Sequence, residues 1–168
     1  MMRRAQVLAA AAIAAMVAGA ARAEDAGQPL SACADAVGAW LTTNPGKEPS
    51  RSLISLAADG LVLFDDSGQG GGMGFAPFTG GHGAWRCIAA DGGLKLGVTI
   101  LDFTLPTVDW PNQRIGRLDI AATVDAANGT MSGTRTLLSA PLDGDPLAAT
   151  GLEKVAGGTF DAVRITAP

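Results

Sequence analysis

Leu94-Lys95-Leu96-Gly97-Val98-Thr99-Ile100 alternates residue by residue between large apolar side chains and polar or small ones. Successive side chains of a strand point to opposite faces, so a period of two predicts a strand with one dry and one wet side. Leu94, Leu96, Val98 and Ile100 form the dry face; Lys95, Gly97 and Thr99 form the wet one. The pattern recurs downstream, where Leu118, Ile120, Ala122 and Val124 oppose Arg117, Asp119, Thr123 and Asp125. A sheet of this kind has to cover its apolar side.

Outward from these two segments the chain keeps the same grammar. Candidate strands are residues 37–43, 51–57, 61–65, 83–89, 94–105, 114–125, 130–140 and 155–166. Between them lie turn residues: Asp59-Gly60, Asp91-Gly92-Gly93, Asp109 to Gln113, Asn128-Gly129 and Asp143-Gly144-Asp145. Asn-Gly and Asp-Gly accept the positive φ angles that tight hairpins need. Asn128-Gly129-Thr130 also has the form of a glycosylation sequon. Short local turns favour a meander over the crossovers of a two-sheet sandwich, and closing the meander buries its dry face and removes its edges. The fold expected is therefore all-β: an eight-stranded antiparallel up-and-down barrel, with a short N-terminal helix over residues 29–36.

The first two dozen residues have a different character. Arg3 and Arg4 precede an alanine-rich apolar run from Ala5 to Ala21, and Ala21-Arg22-Ala23 is followed by Glu24-Asp25. Charge, apolar core and small-residue cleavage site, in that order, predict a secretory signal cut after Ala23. The run of about 17 apolar residues falls short of the roughly 20 that span a bilayer. Residues 1–23 are thus read as a signal peptide and 24–168 as one barrel domain, periplasmic or secreted, without a transmembrane segment. Cleavage removes three arginines and leaves nine basic against 16 acidic residues, a net charge of about −7. Such a protein repels nucleic acid and anionic surfaces, and no basic patch with interleaved aromatics speaks for nucleic-acid binding.

Cys33 and Cys87 are the only cysteines. In an oxidising compartment a lone pair forms a disulfide. Leu30-Ser31-Ala32-Cys33 has the form of a lipobox, but Glu24, Asp25, Gln28 and Pro29 separate it from the apolar core that a lipobox must close. With one histidine and no C-x-x-C pair, neither a metal site nor a cofactor is expected.

Gly38-Ala39-Trp40 at the start of the first strand and Arg164 in the last resemble the Gly-x-Trp motif and distal arginine of the calycins, the small barrels that include lipocalins and avidin-like proteins. The resemblance implies that Arg164 packs across Trp40 and closes one barrel end, with Gly38 allowing close approach. The stretch from Leu56 to Phe64, with Gly81-His82-Gly83-Ala84-Trp85, also resembles small secreted bacterial barrels.

Candidate site residues are few. Gly68 to Gly74 is rich in glycine but lacks the Gly-Lys-Ser/Thr ending and following helix of a phosphate loop. It reads either as a plain connecting loop or as a lid at the barrel mouth, with Met73, Phe75 and Phe78 as apolar contacts. His82 reads as a turn residue before a strand or as a polar ligand contact. Parity in residues 130–138 aims Arg135 inward with Met131, Gly133 and Leu137, where it would meet an anionic head group or an internal Asp; a bulge would put it in water instead. Asp102, inside the apolar run from Ile100 to Phe103, is the acidic residue placed for a perturbed environment. No nucleophile–base motif accompanies these residues. Three functions stand: a barrel binding a small apolar or amphipathic ligand, a barrel enzyme of isomerase or cyclase type using His82, Asp102 or Arg135, and a solid structural or interaction barrel without ligand. Oligomeric state is not legible.

Overall fold

The computed structural model describes residues 30–168, apart from residues 46–48, Met73 and residues 91–92. The segment read as a signal and the proposed lid residue Met73 lie outside the described residues. Eight strands follow in order: β1 Gly38–Thr43, β2 Ser52–Leu56, β3 Leu61–Asp66, β4 Gly81–Ala90, β5 Gly93–Phe103, β6 Arg114–Asp125, β7 Thr130–Pro141 and β8 Glu153–Arg164. Each pairs antiparallel with the next, and β8 returns to β1, so the sheet is a closed up-and-down barrel. Every strand thus has a neighbour on both sides.

The two alternating segments lie side by side as β5 and β6. Leu96 pairs with Ala122, Val98 with Ile120 and Ile100 with Leu118, and all six are buried. Their polar alternates face outward, where Thr99 Oγ1 donates to Asp119 Oδ1 at 2.9 Å. The expected N-terminal helix is instead a single 3-10 segment, Leu30–Ala36, in which Cys33 leaves helical geometry at φ −110°, ψ 15°. Seven residues are too few for a self-supporting α-helix, and the bend at Cys33 carries it to its disulfide partner.

One end of the barrel is sealed. Trp40, 0% exposed, donates from Nε1 to Ala36 O at 2.9 Å. The Arg164 guanidinium lies 4.4 Å from the Trp40 ring centroid, a cation–π distance. Its Nη1 donates to Val37 O at 2.6 Å, and Nη2 bonds Asp35 O. Gly38 sits at φ +134°, and a Cβ there would come within 2.8 Å of Arg164 Nη1, so only glycine suits both the backbone and the arginine. A Cys33–Cys87 disulfide ties the 3-10 segment to β4, with Cα atoms 6.1 Å apart. Trp85, inward on β4, reaches across to donate from Nε1 to Ala57 O at 2.8 Å, holding the β2–β3 turn. Above this plug the core packs Val62, Val98, Phe160 and Met131. Among the described residues no helix is long and apolar enough to cross a membrane.

Candidate functional site

The opposite end is open. There the β1–β2, β3–β4 and β5–β6 connections and the ends of β7 and β8 surround a cavity of about 400 Å³ running down into the barrel. That volume is within the range of small-molecule sites. Its apolar wall comes from Phe64, Leu118 and Leu137 below and Phe75, Phe78 and Trp110 at the rim. A second depression, about 430 Å³, lies on the outer wall of β4, β5 and β6. Arg117 occupies its edge: it pairs with Asp119 at 2.9 Å and donates to the carbonyls of Pro146 and Ala148, tacking the β7–β8 loop to the barrel.

The rim aromatics are held by backbone bonds. Gly72 and Phe75 exchange N–H···O bonds of 3.2 and 2.9 Å, and Phe78 N–H donates to Gln69 O at 3.0 Å. Thr79 N–H donates to Phe103 O, and Leu105 N–H to Pro77 O, so the loop continues the β4–β5 ladder past the strand ends. The glycine-rich stretch is thus a folded loop that carries Phe75 and Phe78 to the mouth.

Arg135 faces the interior. It pairs with Ile120, a buried inward residue of β6, and the one bulge in β7 falls later, between Leu137 and Leu138. Among the described residues its guanidinium makes no hydrogen bond and no ion pair. Burial draws its proton affinity down, and the Asp66 carboxylate, acting over a longer distance, opposes this. Asp66 itself is committed elsewhere: Ser52 Oγ donates to it at 2.6 Å and Gly68 N–H at 2.7 Å. Asn44 Nδ2 in turn donates to Ser52 Oγ at 2.9 Å, completing a polar cluster in the wall.

Asp102 also faces inward, 7% exposed, and lines the cavity. Burial pushes its carboxyl up to about 6, against a backbone hydrogen bond from Gly116 that favours the charged form. The carboxyl fits because its neighbour on β6 is glycine; a Cβ on Gly116 would lie 2.3 Å from Asp102 Oδ1. Nearer the mouth, Arg114 pairs with Glu153 at 3.2 Å and donates from Nε to Ser139 Oγ at 2.6 Å.

The cavity therefore unites Phe75, Phe78, Asp102 and Arg135. His82 is not with them: it lies exposed on the outer face of β4, because inward parity there belongs to Gly81, Gly83 and Trp85. Asp66, Arg114, Ser139, Glu153 and Trp110 were not among the residues expected at the site. For Asp66 the signal was present, since Val62 and Phe64 face inward and parity carries the next place to Asp66. The expected strand ended at residue 65, one place short of it. Arg114 and Glu153 stand at strand ends, where parity is weakest.

Among the described residues no group of three or more His, Cys, Asp and Glu is placed to hold a metal ion. Comparison with protein-family models, with curated proteins and with solved structures finds no match.

Proposed function

We propose that this is an exported, calycin-like binding barrel that holds a small amphipathic molecule in its open end. The observation that carries the reading is the cavity itself: an apolar pocket of about 400 Å³ with an inward arginine that no described protein group pairs. Binding sites for small molecules are commonly apolar with a few polar anchors. The apolar part of the ligand would lie against Phe64, Phe75, Phe78 and Leu137, and a polar head would meet Arg135. Export is supported by the signal-like residues 1–23 and by the Cys33–Cys87 disulfide. Calycin affiliation is supported by Gly38, Trp40 and Arg164 at the sealed end.

The test is a screen of fatty acids, isoprenoids and hydrophobic dyes against the purified protein and against a Phe75→Asp, Phe78→Asp double variant. Binding tighter than about 100 μM, lost in the double variant while the fold is kept, supports the reading. No binding below that level, or binding indifferent to the two changes, overturns it. The raised Asp102 carboxyl, in the cavity that Arg135 also lines, favours one other reading, an acid–base isomerase or cyclase working there. Turnover of a bound ligand, abolished in Asp102→Asn, would identify that instead.

A further inference from the structure

Two groups of opposite sign in the cavity lack a hydrogen-bonded ion-pair partner among the described residues: Asp102, and Arg135, whose guanidinium feels the Asp66 carboxylate only through space. Each remaining charge facing the cavity has a partner: Asp66 on β3 is held by Ser52 and Gly68, and Arg114 on β6 by Glu153 on β8. The Arg135 guanidinium has no hydrogen bond or ion pair among the described residues. The Asp102 carboxyl has the Gly116 backbone, and among the described residues no cation pairs with it. The registers set their depths. Asp102, Gly116 and Ser139 align in one row across β5, β6 and β7, while Arg135 lies two inward positions deeper along β7, past Leu137. A molecule entering head first passes the carboxyl and ends at the guanidinium.

An acidic head group at that depth meets a cation, but an ionised Asp102 above it repels the same charge. Two like charges in a partly desolvated cavity disfavour each other strongly, so the arrangement is at its best when Asp102 carries a proton. We propose that the cavity selects an amphiphile with a single acidic head group and takes it up together with one proton, Arg135 meeting the head and Asp102 accepting the proton from solvent. This rests on the binding reading above. No bond of the ligand changes; the Asp102 carboxylate becomes a carboxylic acid, and the site's net charge is the same before and after uptake. Because coupling is reciprocal, the bound anion raises the proton affinity of Asp102 as much as the proton raises that for the anion. A weakly acidic surrounding loads the barrel and a neutral one unloads it.

Two dyes with the same ring system separate charge from apolar contact: anilinonaphthalene sulfonate, ionised throughout, and uncharged phenylnaphthylamine. The sulfonate is expected to bind on the order of tenfold tighter at about pH 5 than at about pH 7.5, with a smaller change for the uncharged dye. Asp102→Asn should hold the sulfonate near its acid-limit affinity at both values, and Arg135→Gln should remove the preference for the sulfonate over the uncharged dye. Calorimetry on the unaltered protein near pH 6, in buffers of different ionisation enthalpy, should register proton uptake as the sulfonate binds. Equal sulfonate affinity at both pH values, a pH dependence that survives Asp102→Asn, or no proton uptake would overturn proton-linked capture while leaving the binding barrel intact. Failure of both dyes to bind at either pH would overturn both readings together.

Discussion

Gly38 shows how little freedom a single position has at the sealed end. Its φ of +134° is a region that side chains avoid, and the space a Cβ would fill holds the Arg164 guanidinium. Replacing it with alanine both strains the backbone and pushes the arginine off the Trp40 ring, and should cost about 1–3 kcal/mol. Trp40→Ala removes a fully buried ring and should cost about 3–5 kcal/mol. Urea unfolding followed by circular dichroism checks both. A loss below about 1 kcal/mol for Trp40→Ala would show that the Trp40–Arg164 contact does not hold the barrel end.

At the scale of elements, the 3-10 segment Leu30–Ala36 is too short to stand alone, and it is fastened at three points. Arg164 bonds its carbonyl at Asp35, Trp40 bonds Ala36, and the disulfide fixes Cys33. The disulfide spans 54 residues of sequence, closing β1, β2 and β3 into one loop. In the chain-entropy account such a loop is worth about 4 kcal/mol. A Cys33→Ser, Cys87→Ser double variant should therefore unfold at lower urea, with its barrel circular dichroism kept under native conditions. Unchanged stability in the double variant would mean that the strands and the Arg164 bonds hold the segment unaided. Loops at the other end are fastened differently, by backbone bonds that extend the β4–β5 ladder and carry Phe75 and Phe78 over the cavity. On the β5–β6 loop, Val108 is 97% exposed and Trp110 48%, so apolar side chains are presented to solvent beside the mouth.

At the scale of the molecule, one half of the barrel is packed solid and the other is hollow, and the hollow half carries an energetic cost that depends on pH. Folded, Asp102 keeps its proton up to about pH 6; unfolded, it releases it near its ordinary value of 3.8. Between those values the folded chain binds more protons, so the contribution of Asp102 is fully present below about 3.8 and is lost as pH rises through about 6. The shift corresponds to at most about 3 kcal/mol. Asp102→Asn should accordingly gain stability over the unaltered protein as pH rises from about 4 to about 8, by an amount of that order. Urea midpoints measured across the range check this. Two curves that stay parallel would show that the carboxyl is ordinarily solvated.

Periodicity in Leu94 to Ile100 and in Leu118 to Val124 was enough to mark two strands and their dry faces, and the short turns between candidate strands favoured an up-and-down order over a sandwich. These follow from the geometry of a strand and from turn residues that act over a few positions. The disulfide followed from composition, because two cysteines leave one pairing. Parity aimed Arg135 inward with a bulge as the alternative, and the apolar run from Ile100 to Phe103 singled out Asp102. What only the tertiary structure decided is everything that depends on distance around the barrel. Whether the interior is filled depends on which side chains share a level, and that is set by strand register, not by spacing along the chain. His82 fell outside because β4 begins at Gly81, with its glycines turned in. Arg114 and Glu153, 39 residues apart, met because β6, β7 and β8 stagger to bring their ends together. Asp66 came to act on Arg135 only when closure set β3 across the interior from β7. The strands were local facts; the cavity exists only once β8 has returned to β1.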